Sequence, residues 1–272
     1  MAKNYETLLV AQESGVTTIT FNRPEKRNAM SPQLHREMFE LLTELRYDKE
    51  TRVIVLTGAG ESFCAGQDLK QYALELESQP EQVRDEVREK VRRWRNEMLR
   101  TLPQPVVARI TGWCLGGALT VVAGCDIAIA AEDALFGLPE VNFGHFPAGD
   151  TTFVLTENLQ AKHGLYYALT GEMMTAKEAE RIGLISKVVP RADVDKEVAR
   201  VAKSLAEKSP MALKAVKEAW YYSSYASPDV AYEVSNLISQ RTIREHGGRP
   251  GLEQFVQKKL RPVSGVMSLE KE

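Results

Sequence analysis

Two glycine-containing segments, about fifty residues apart, constrain this chain more than any other feature. The first corner spans residues 62–69 and the second spans residues 112–120. Each follows a β-branched run, and each is expected to lead into a helix. At such a strand–turn–helix corner, backbone N–H groups lack intrahelical partners and the helix dipole favours negative charge. Two corners facing one another therefore predict a site in which two backbone donors hold one carbonyl oxygen, an oxyanion hole.

The composition bounds the class of protein. The chain has 272 residues, 43% hydrophobic and 26% charged, which is enough to bury a substantial core. A net charge of -2 gives no general attraction to nucleic acid or to an anionic membrane, so neither is expected as a partner. Cys64, Cys114 and Cys125 have no metal-ligand spacing, and any disulfide would leave one over. These features favour a reducing cytoplasm and no bound metal.

No signal peptide or membrane span is expected from the hydrophobic pattern. The first residues of the chain contain no apolar run. The longest uncharged stretch, residues 110–125, falls short of the ~20 apolar residues that a span needs. We therefore expect a soluble, cytoplasmic protein.

The order of predicted elements indicates a parallel α/β construction. Strands and helices alternate up to about residue 190, and the pattern then becomes helical. Ser31 and Pro32 begin one predicted helix, with Pro32 at its first position. The sequence thus predicts an α/β core over residues 1–192 and a helical region over residues 193–272.

Glu140 is the candidate acid–base residue. It follows a proline and stands among apolar and turn residues just beyond the second corner. Desolvation in such surroundings raises the pKa of a carboxyl group, which suits a general acid or base. An ordinary glutamate of a surface loop is the alternative interpretation. In the same way, the glycines of the two corners are also compatible with plain turns or close helix packing.

Four segments in this order resemble the crotonase, or enoyl-CoA hydratase/isomerase, superfamily: residues 22–30, 57–70, 112–126 and 136–144. The resemblance implies a spiral of repeated ββα turns and a C-terminal helical region that builds a homotrimer or a dimer of trimers. It implies an acyl-CoA thioester as substrate, with no separate cofactor because coenzyme A is part of the substrate. By the motif match, the backbone N–H groups of Gln67 and Gly117 bind the thioester oxygen, and Glu140 moves protons.

Position 120 indicates which subgroup of this superfamily the chain resembles. Relatives that only hydrate enoyl-CoA carry two glutamates; one matches Glu140, and the other falls where this chain has Thr120. A hydroxyl cannot replace a carboxylate in acid–base work at neutral pH. Residues 22–32, 56–61, 112–114 and 165–167 instead resemble the hydroxycinnamoyl-CoA hydratase-lyases.

That resemblance implies hydration and retro-aldol cleavage of feruloyl-CoA, p-coumaroyl-CoA or caffeoyl-CoA to a hydroxybenzaldehyde, such as vanillin, and acetyl-CoA. Two alternatives stay open. One is a one-glutamate hydratase or isomerase for another acyl-CoA. The other is a non-catalytic member that binds RNA or a protein partner.

The resemblance also implies binding residues. Tyr72 and a tail tyrosine, Tyr232, are expected to hold the substrate phenol, and Thr120 to form a small polar wall, to hold water or to pack between helices. Phe143 stands where the subgroup tends to have tryptophan, and His145 is interpreted as a loop residue. The residues expected along coenzyme A are Lys26, Arg27, Ala29, Ala65, Asp68, Leu69, Phe255 and Lys258. Of these, the first two are cationic donors suited to phosphate, and the last two are expected to reach a neighbouring subunit's coenzyme A.

Overall fold

The structure is a computed structural model that describes residues 4–148, residues 151–246 and two short strands, Arg261–Val263 and Val266–Ser268. The chain divides into two units, Met1–Ala206 and Glu207–Glu272. Phe255 and Lys258, predicted to contact coenzyme A, lie outside the described residues.

The first unit contains two sheets. Its strands are β1 (Leu8–Glu13), β2 (Val16–Phe21), β3 (Val53–Gly58), β4 (Val106–Ile110), β5 (Trp113–Leu115), β6 (Ile127–Ala131), β7 (Leu135–Gly137), β8 (Met173–Thr175) and β9 (Lys187–Val189). The larger sheet has the order β1-β2-β3-β4-β6-β9, and the smaller has the order β5-β7-β8. After the antiparallel β1–β2 hairpin, every pair in the larger sheet is parallel. The predicted α/β class is therefore confirmed.

Helices connect these strands and follow them. They are α1 (Pro32–Leu45), α2 (Glu81–Arg92), α3 (Ala118–Gly124), α4 (Thr151–Asn158), α5 (Ala161–Thr170), α6 (Ala176–Arg181) and α7 (Val194–Ala206) in the first unit, and α8 (Pro210–Tyr225) and α9 (Pro228–His246) in the second. The first of them begins as predicted. The Ser31 side chain accepts a hydrogen bond from Leu34 N at 3.2 Å, and Pro32 follows as the first helical residue.

A wide-wound segment extends α2 toward the core. The helix continues through π-helical residues Arg93–Met98 into a last short turn, Leu99–Thr101. Wider winding changes which side chains face inward, and such segments often occur at functional sites. Here two successive side chains, Trp94 and Arg95, are both buried.

Glu37 ties the start of β1 to α1. Its carboxylate accepts hydrogen bonds from Glu6 N (2.7 Å), Thr7 N (2.9 Å), Thr7 Oγ1 (2.5 Å) and Gln33 Nε2 (3.0 Å). Burial opposes the ionisation of Glu37, but these hydrogen bonds outweigh it and hold its pKa below the usual value. The charge of Glu37 is thus part of what fixes the edge of the sheet.

The boundary between the units lies later than the predicted one at residues 192 and 193. Val194, Val198 and Ala202 on α7 pack against Val53 and Val107 of the larger sheet. This helix therefore covers a sheet face and belongs to the first unit, and the division follows Ala206.

The second unit is built on the pair α8 and α9. An ion pair joins Arg241 to Glu218, and the rings of Tyr221 and Tyr225 lie 5.1 Å apart. Several large apolar side chains of this unit are exposed in the single chain, among them Trp220 and Leu237. In the described part of the chain, no helix combines the length and apolar character needed to cross a bilayer.

Candidate active site

The two glycine corners lie against each other. Cys64 N donates to Trp113 O at 2.9 Å, and Leu115 N donates to Cys64 O at 3.0 Å, so a parallel bridge joins the corners. Gly66 has φ +94, and a Cβ there would lie 2.7 Å from Leu115 O and 3.6 Å from Gly117 N. Only glycine tolerates both this conformation and this approach.

Gln67 and Gly117 each present an open backbone donor. Met30 pairs with the residues on both sides of Gln67: Met30 N donates to Gly66 O at 2.8 Å, and Asp68 N donates to Met30 O at 2.9 Å. This pairing leaves out Gln67 N, and Gly117 N precedes the first residue of α3. Within the described residues, neither N–H has a protein acceptor. Two such donors from adjoining corners are what an oxyanion hole requires.

Glu140 faces the second corner. It lies on a short 3₁₀ turn, Pro139–Phe143, that follows β7. Gly116 has φ +52, and a Cβ at that position would lie 2.6 Å from Glu140 Oε1. The carboxylate is therefore in contact with the residue that directly precedes Gly117.

The surroundings of Glu140 change its chemistry. Burial raises its pKa above the usual glutamate value, which is the direction that the sequence predicted. Glu140 Oε2 is buried and has no hydrogen-bond partner among the described residues. A partly buried carboxylate with an unpartnered oxygen is suited to accept and return a proton.

A buried imidazole holds the side chain of Gln67. Trp94 Nε1 donates to His35 Nδ1 at 3.0 Å, and His35 Nε2 lies 2.7 Å from Gln67 Oε1. His35 is fully buried; this burial and the nearby Arg95 charge lower its pKa to about 3, so the ring is neutral. The Tyr72 ring packs edge-on against it with centroids 5.4 Å apart.

Arg95 supports the second corner from behind. Its guanidinium Nη1 donates to Gly117 O at 3.3 Å, and the side chain is almost fully buried. The sequence reasoning found neither His35, Trp94 nor Arg95. Helical spacing of apolar residues at Val87, Val91, Trp94 and Met98 marks Trp94 in the sequence, but only as an ordinary core residue.

The predicted acyl-end residues lie in different environments. Tyr72 is joined to Gln67 through His35, and Phe143 shares the short turn of Glu140 but is half exposed. Thr120 is fully buried, and its hydroxyl donates to Thr151 Oγ1 at 3.1 Å, so it forms a contact between α3 and α4. Tyr232 lies exposed on α9 in the second unit, and its role in phenol binding stays a prediction.

The predicted coenzyme A residues form a turn next to the first corner. Lys26 and Arg27 are exposed, Ala65 N donates to Arg27 O at 2.9 Å, and the Arg27 guanidinium lies 5.8 Å from the Trp113 ring centroid. Ala29 is partly buried. Two exposed cations beside an open corner can contact phosphate groups.

Asp68 has a structural role that the sequence did not reveal. Its carboxylate pairs with Arg23 at 2.9 Å and accepts from Gln71 N at 3.0 Å, which caps the helical segment Leu69–Glu75. Burial opposes ionisation of Asp68, but these hydrogen bonds hold its pKa below the usual value. Arg23 also donates to Ala29 O at 2.5 Å, so it braces the turn against the first corner. Leu69 itself is exposed.

A resident metal ion has no evident ligand set in the described part of the chain. No group of three or more histidine, cysteine, aspartate or glutamate side chains is arranged there to hold a metal ion. The three cysteines are free, and two of them, Cys64 and Cys114, are buried with their pKa raised by desolvation.

Comparison with known proteins identifies the family to which this chain is similar. The enoyl-CoA hydratase/isomerase family profile matches residues 11–263. The chain is 36% identical to a hydroxycinnamoyl-CoA hydratase-lyase of Pseudomonas fluorescens over 258 residues, 94% of each protein. It is 32% identical to a mevalonyl-coenzyme A hydratase of Aspergillus fumigatus over 256 residues, 90% of this chain and 89% of that one.

The fold agrees with this result. The crystal structure of an enoyl-CoA hydratase from Bacillus anthracis superposes with a TM-score of 0.85 at 30% identity, covering 96% of this chain and 100% of the other. The predicted crotonase fold with C-terminal helices is thereby confirmed. The chain belongs to the enoyl-CoA hydratase/isomerase family, the crotonase superfamily.

Proposed function

We propose that this enzyme hydrates and then cleaves 4-hydroxycinnamoyl-CoA thioesters, with feruloyl-CoA, p-coumaroyl-CoA and caffeoyl-CoA as candidates. Membership of the family makes it an enzyme of acyl-CoA thioesters. One observation carries the proposal: the partly buried carboxylate of Glu140, with its Oε2 atom buried, contacts Gly116 directly beside the open N–H groups of Gln67 and Gly117.

Two further observations favour cleavage over hydration alone. The first is the 36% identity to a hydroxycinnamoyl-CoA hydratase-lyase, since the hydratase relative above is less similar. The second is Thr120, at the position where two-glutamate hydratases have their second carboxylate. Its hydroxyl is buried and bound to Thr151, so it offers neither a charge nor a titrating proton there.

In the first step, the thioester oxygen lies between Gln67 N and Gly117 N. Glu140 takes a proton from water as the water oxygen bonds to the β-carbon, and the electron pair of the double bond moves into the thioester to form an enolate. Glu140 then returns the proton to the α-carbon. Each backbone donor acts where negative charge develops, which is worth about 3–4 kcal/mol of transition-state stabilisation.

In the second step, Glu140 takes the proton of the new β-hydroxyl group. The bond between the α- and β-carbons breaks, the aldehyde leaves, and the electron pair stays on the acetyl-CoA enolate in the same oxyanion hole. Glu140 then protonates that enolate carbon. A raised pKa suits a group that must both take and give a proton in one cycle. The para-hydroxyl, held by Tyr72, donates electrons through the ring.

We further propose binding and assembly roles for the outlying residues. Lys26, Arg27 and the backbone around Ala65 and Asp68 contact coenzyme A. The helical pair α8–α9 contributes to a homotrimer or a dimer of trimers, for which its exposed Trp220 and Leu237 supply apolar area. The free cysteines suit a cytoplasmic enzyme.

A panel of thioesters tests the proposed reaction. Purified enzyme is incubated with feruloyl-, p-coumaroyl-, caffeoyl-, cinnamoyl- and crotonyl-CoA, and enoyl thioester loss and aldehyde release are followed separately. We expect aldehyde and acetyl-CoA in equal amounts from the three 4-hydroxy substrates, and none from cinnamoyl-CoA, which lacks the para-hydroxyl. Glu140→Gln is expected to lower turnover by about 10³-fold or more, as for loss of a group that acts in every proton transfer.

The other outcomes distinguish the alternatives. Loss of the enoyl thioester without aldehyde identifies a one-glutamate hydratase, and a shifted double bond identifies an isomerase; either result rejects cleavage. An enzyme whose Glu140→Gln variant is as active as the wild type rejects the proposed site.

A further inference from the structure

The buried imidazole of His35 stands outside the reaction just described, yet it is joined to one of the two proposed oxyanion donors. It touches Gln67 Oε1 at 2.7 Å on one side and receives the Trp94 indole N–H at 3.0 Å on the other. We propose that His35 is a positioning residue that anchors the Gln67 side chain and so keeps the oxyanion hole open. The inference rests on the proposed role of Gln67.

Trp94 determines which ring nitrogen of His35 carries the proton. An indole Nε1–H can only donate, so His35 Nδ1 must be the acceptor and carries no hydrogen. In a neutral ring the proton is then on Nε2, which donates to Gln67 Oε1. This in turn fixes which end of the Gln67 carboxamide faces His35. The chain Trp94–His35–Gln67 therefore has one direction of donation.

The side chain of Gln67 needs such an anchor more than its backbone does. Its backbone is fixed by the pairing of Met30 with both neighbours, but its side chain is long and partly exposed. Gln67 Cγ lies 3.6 Å from the position that a Cβ on Gly117 would take, so the side chain starts beside the open N–H of Gly117.

A loose carboxamide at that place would compete with the substrate. Its oxygen is a hydrogen-bond acceptor, and two open backbone donors are adjacent to it. By engaging that oxygen, His35 removes an internal ligand from the hole. The edge-on contact of His35 with Tyr72 places the same ring beside a residue of the proposed acyl pocket.

Two matched substitutions separate anchoring from packing. In His35→Gln, the amide nitrogen can take the place of ring Nε2 and still donate to Gln67. In His35→Asn, the shorter amide can still accept from Trp94 but does not reach Gln67. We expect His35→Asn to lower kcat by about tenfold or more with KM changed less than about threefold, because the hole acts on the transition state. His35→Gln is expected to recover at least about a third of wild-type kcat.

The decisive comparison uses Gln67→Met, which removes the carboxamide oxygen and keeps the backbone N–H. In that background there is no oxygen to anchor, so His35→Asn is expected to change kcat less than about twofold. Equal losses in the two backgrounds would show that His35 serves general packing and would overturn the proposal. His163→Asn, on α5, is the control for replacing a histidine with asparagine elsewhere in the chain. Thermal melting tests whether each variant is folded.

A second readout needs no substrate. The chain has four histidines, so ¹⁵N-histidine NMR can assign His35 by the signals that His35→Gln lacks. We expect the neutral Nε2–H tautomer at pH 7; an Nδ1–H or a charged ring would contradict the chain of donation. If no thioester of the panel is turned over, the proposed function fails while this NMR result still stands. If turnover is seen but the tautomer is wrong, only the anchoring proposal fails.

Discussion

Gly116 is the position at which a single methyl group tests the proposed site most directly. It has φ +52, and an added Cβ would lie 2.6 Å from Glu140 Oε1. In Gly116→Ala, the carboxylate must retreat by about 0.8 Å to reach an ordinary contact of 3.4 Å. Glu140 is on a separate turn, Pro139–Phe143, so it can yield by rotating its side chain.

Two costs follow from this change, and they are measured differently. A non-glycine residue in the left-handed region costs about 1–2 kcal/mol, which lowers the free energy of unfolding. Displacing a reacting group by about 1 Å costs on the order of 10²-fold in rate. We therefore expect Gly116→Ala to lower kcat by about 100-fold while the folded enzyme remains the main species.

Gly183→Ala is the matched control. Gly183 has φ +87, and among the described residues a Cβ there would meet only Asn158 O, at 3.8 Å. Alanine there is likewise forced to a positive φ, but it does not press on the carboxylate. Urea unfolding is expected to give similar losses of stability for both variants, with kcat reduced only in Gly116→Ala. If kcat of Gly116→Ala stays within about threefold of the control, Glu140 does not act from the position described.

Three further predictions concern charge. Burial raises the folded-state pKa of Glu140, so its ionised form destabilises the fold. Glu140→Gln should therefore melt at a higher temperature than wild type at pH 7. This difference should shrink as the pH falls and vanish well below the ordinary glutamate pKa of 4.5, where the carboxyl is protonated both folded and unfolded. Glu37→Gln should lower the free energy of unfolding, measured in urea at pH 7, by about 2 kcal/mol or more, whereas Glu40→Gln should lower it little. The loss in Glu37→Gln should shrink as the pH falls through the lowered pKa of Glu37. Equal losses in the two variants would refute this prediction. Arg23→Met should raise KM for the thioester more than it lowers kcat, because Arg23 braces the proposed coenzyme A turn through Asp68. A change in kcat alone would contradict this role.

The sequence predicted those parts of the fold whose periodicity is long enough to read. Helix α1 begins at its predicted cap, and the buried strand β3 lies where a β-branched run placed it. Strands β5, β7 and β8 have three residues each, too few for an alternating pattern. The division after Ala206 differs from the predicted one because one apolar stripe has the same spacing whether it packs on a sheet or on a helix.

A site residue could be predicted from the sequence only where its neighbours along the chain determine its chemical environment. The raised pKa of Glu140 followed from the apolar and turn residues beside it. His35 and Trp94 are 59 residues apart and meet only in the folded protein. Arg95 was missed for another reason: its charge predicts an exposed residue, whereas the structure buries it beside Trp94 in the π-helical segment Arg93–Met98.

Several features around the proposed site are unfavourable for folding, and they occur together. Glu140 buries an oxygen without a partner, Gly116 adopts a left-handed conformation, and α2 departs from regular winding at Arg93–Met98. The unpartnered oxygen and the irregular winding cost stability, and the left-handed conformation restricts position 116 to glycine; a packed core gains nothing from any of them. A buried carboxyl without a full set of partners is retained only where something else uses it, and the open donors at Gln67 and Gly117 lie at the same corner. The physical chemistry of the fold thus supports the proposed site independently of the likeness to known enzymes.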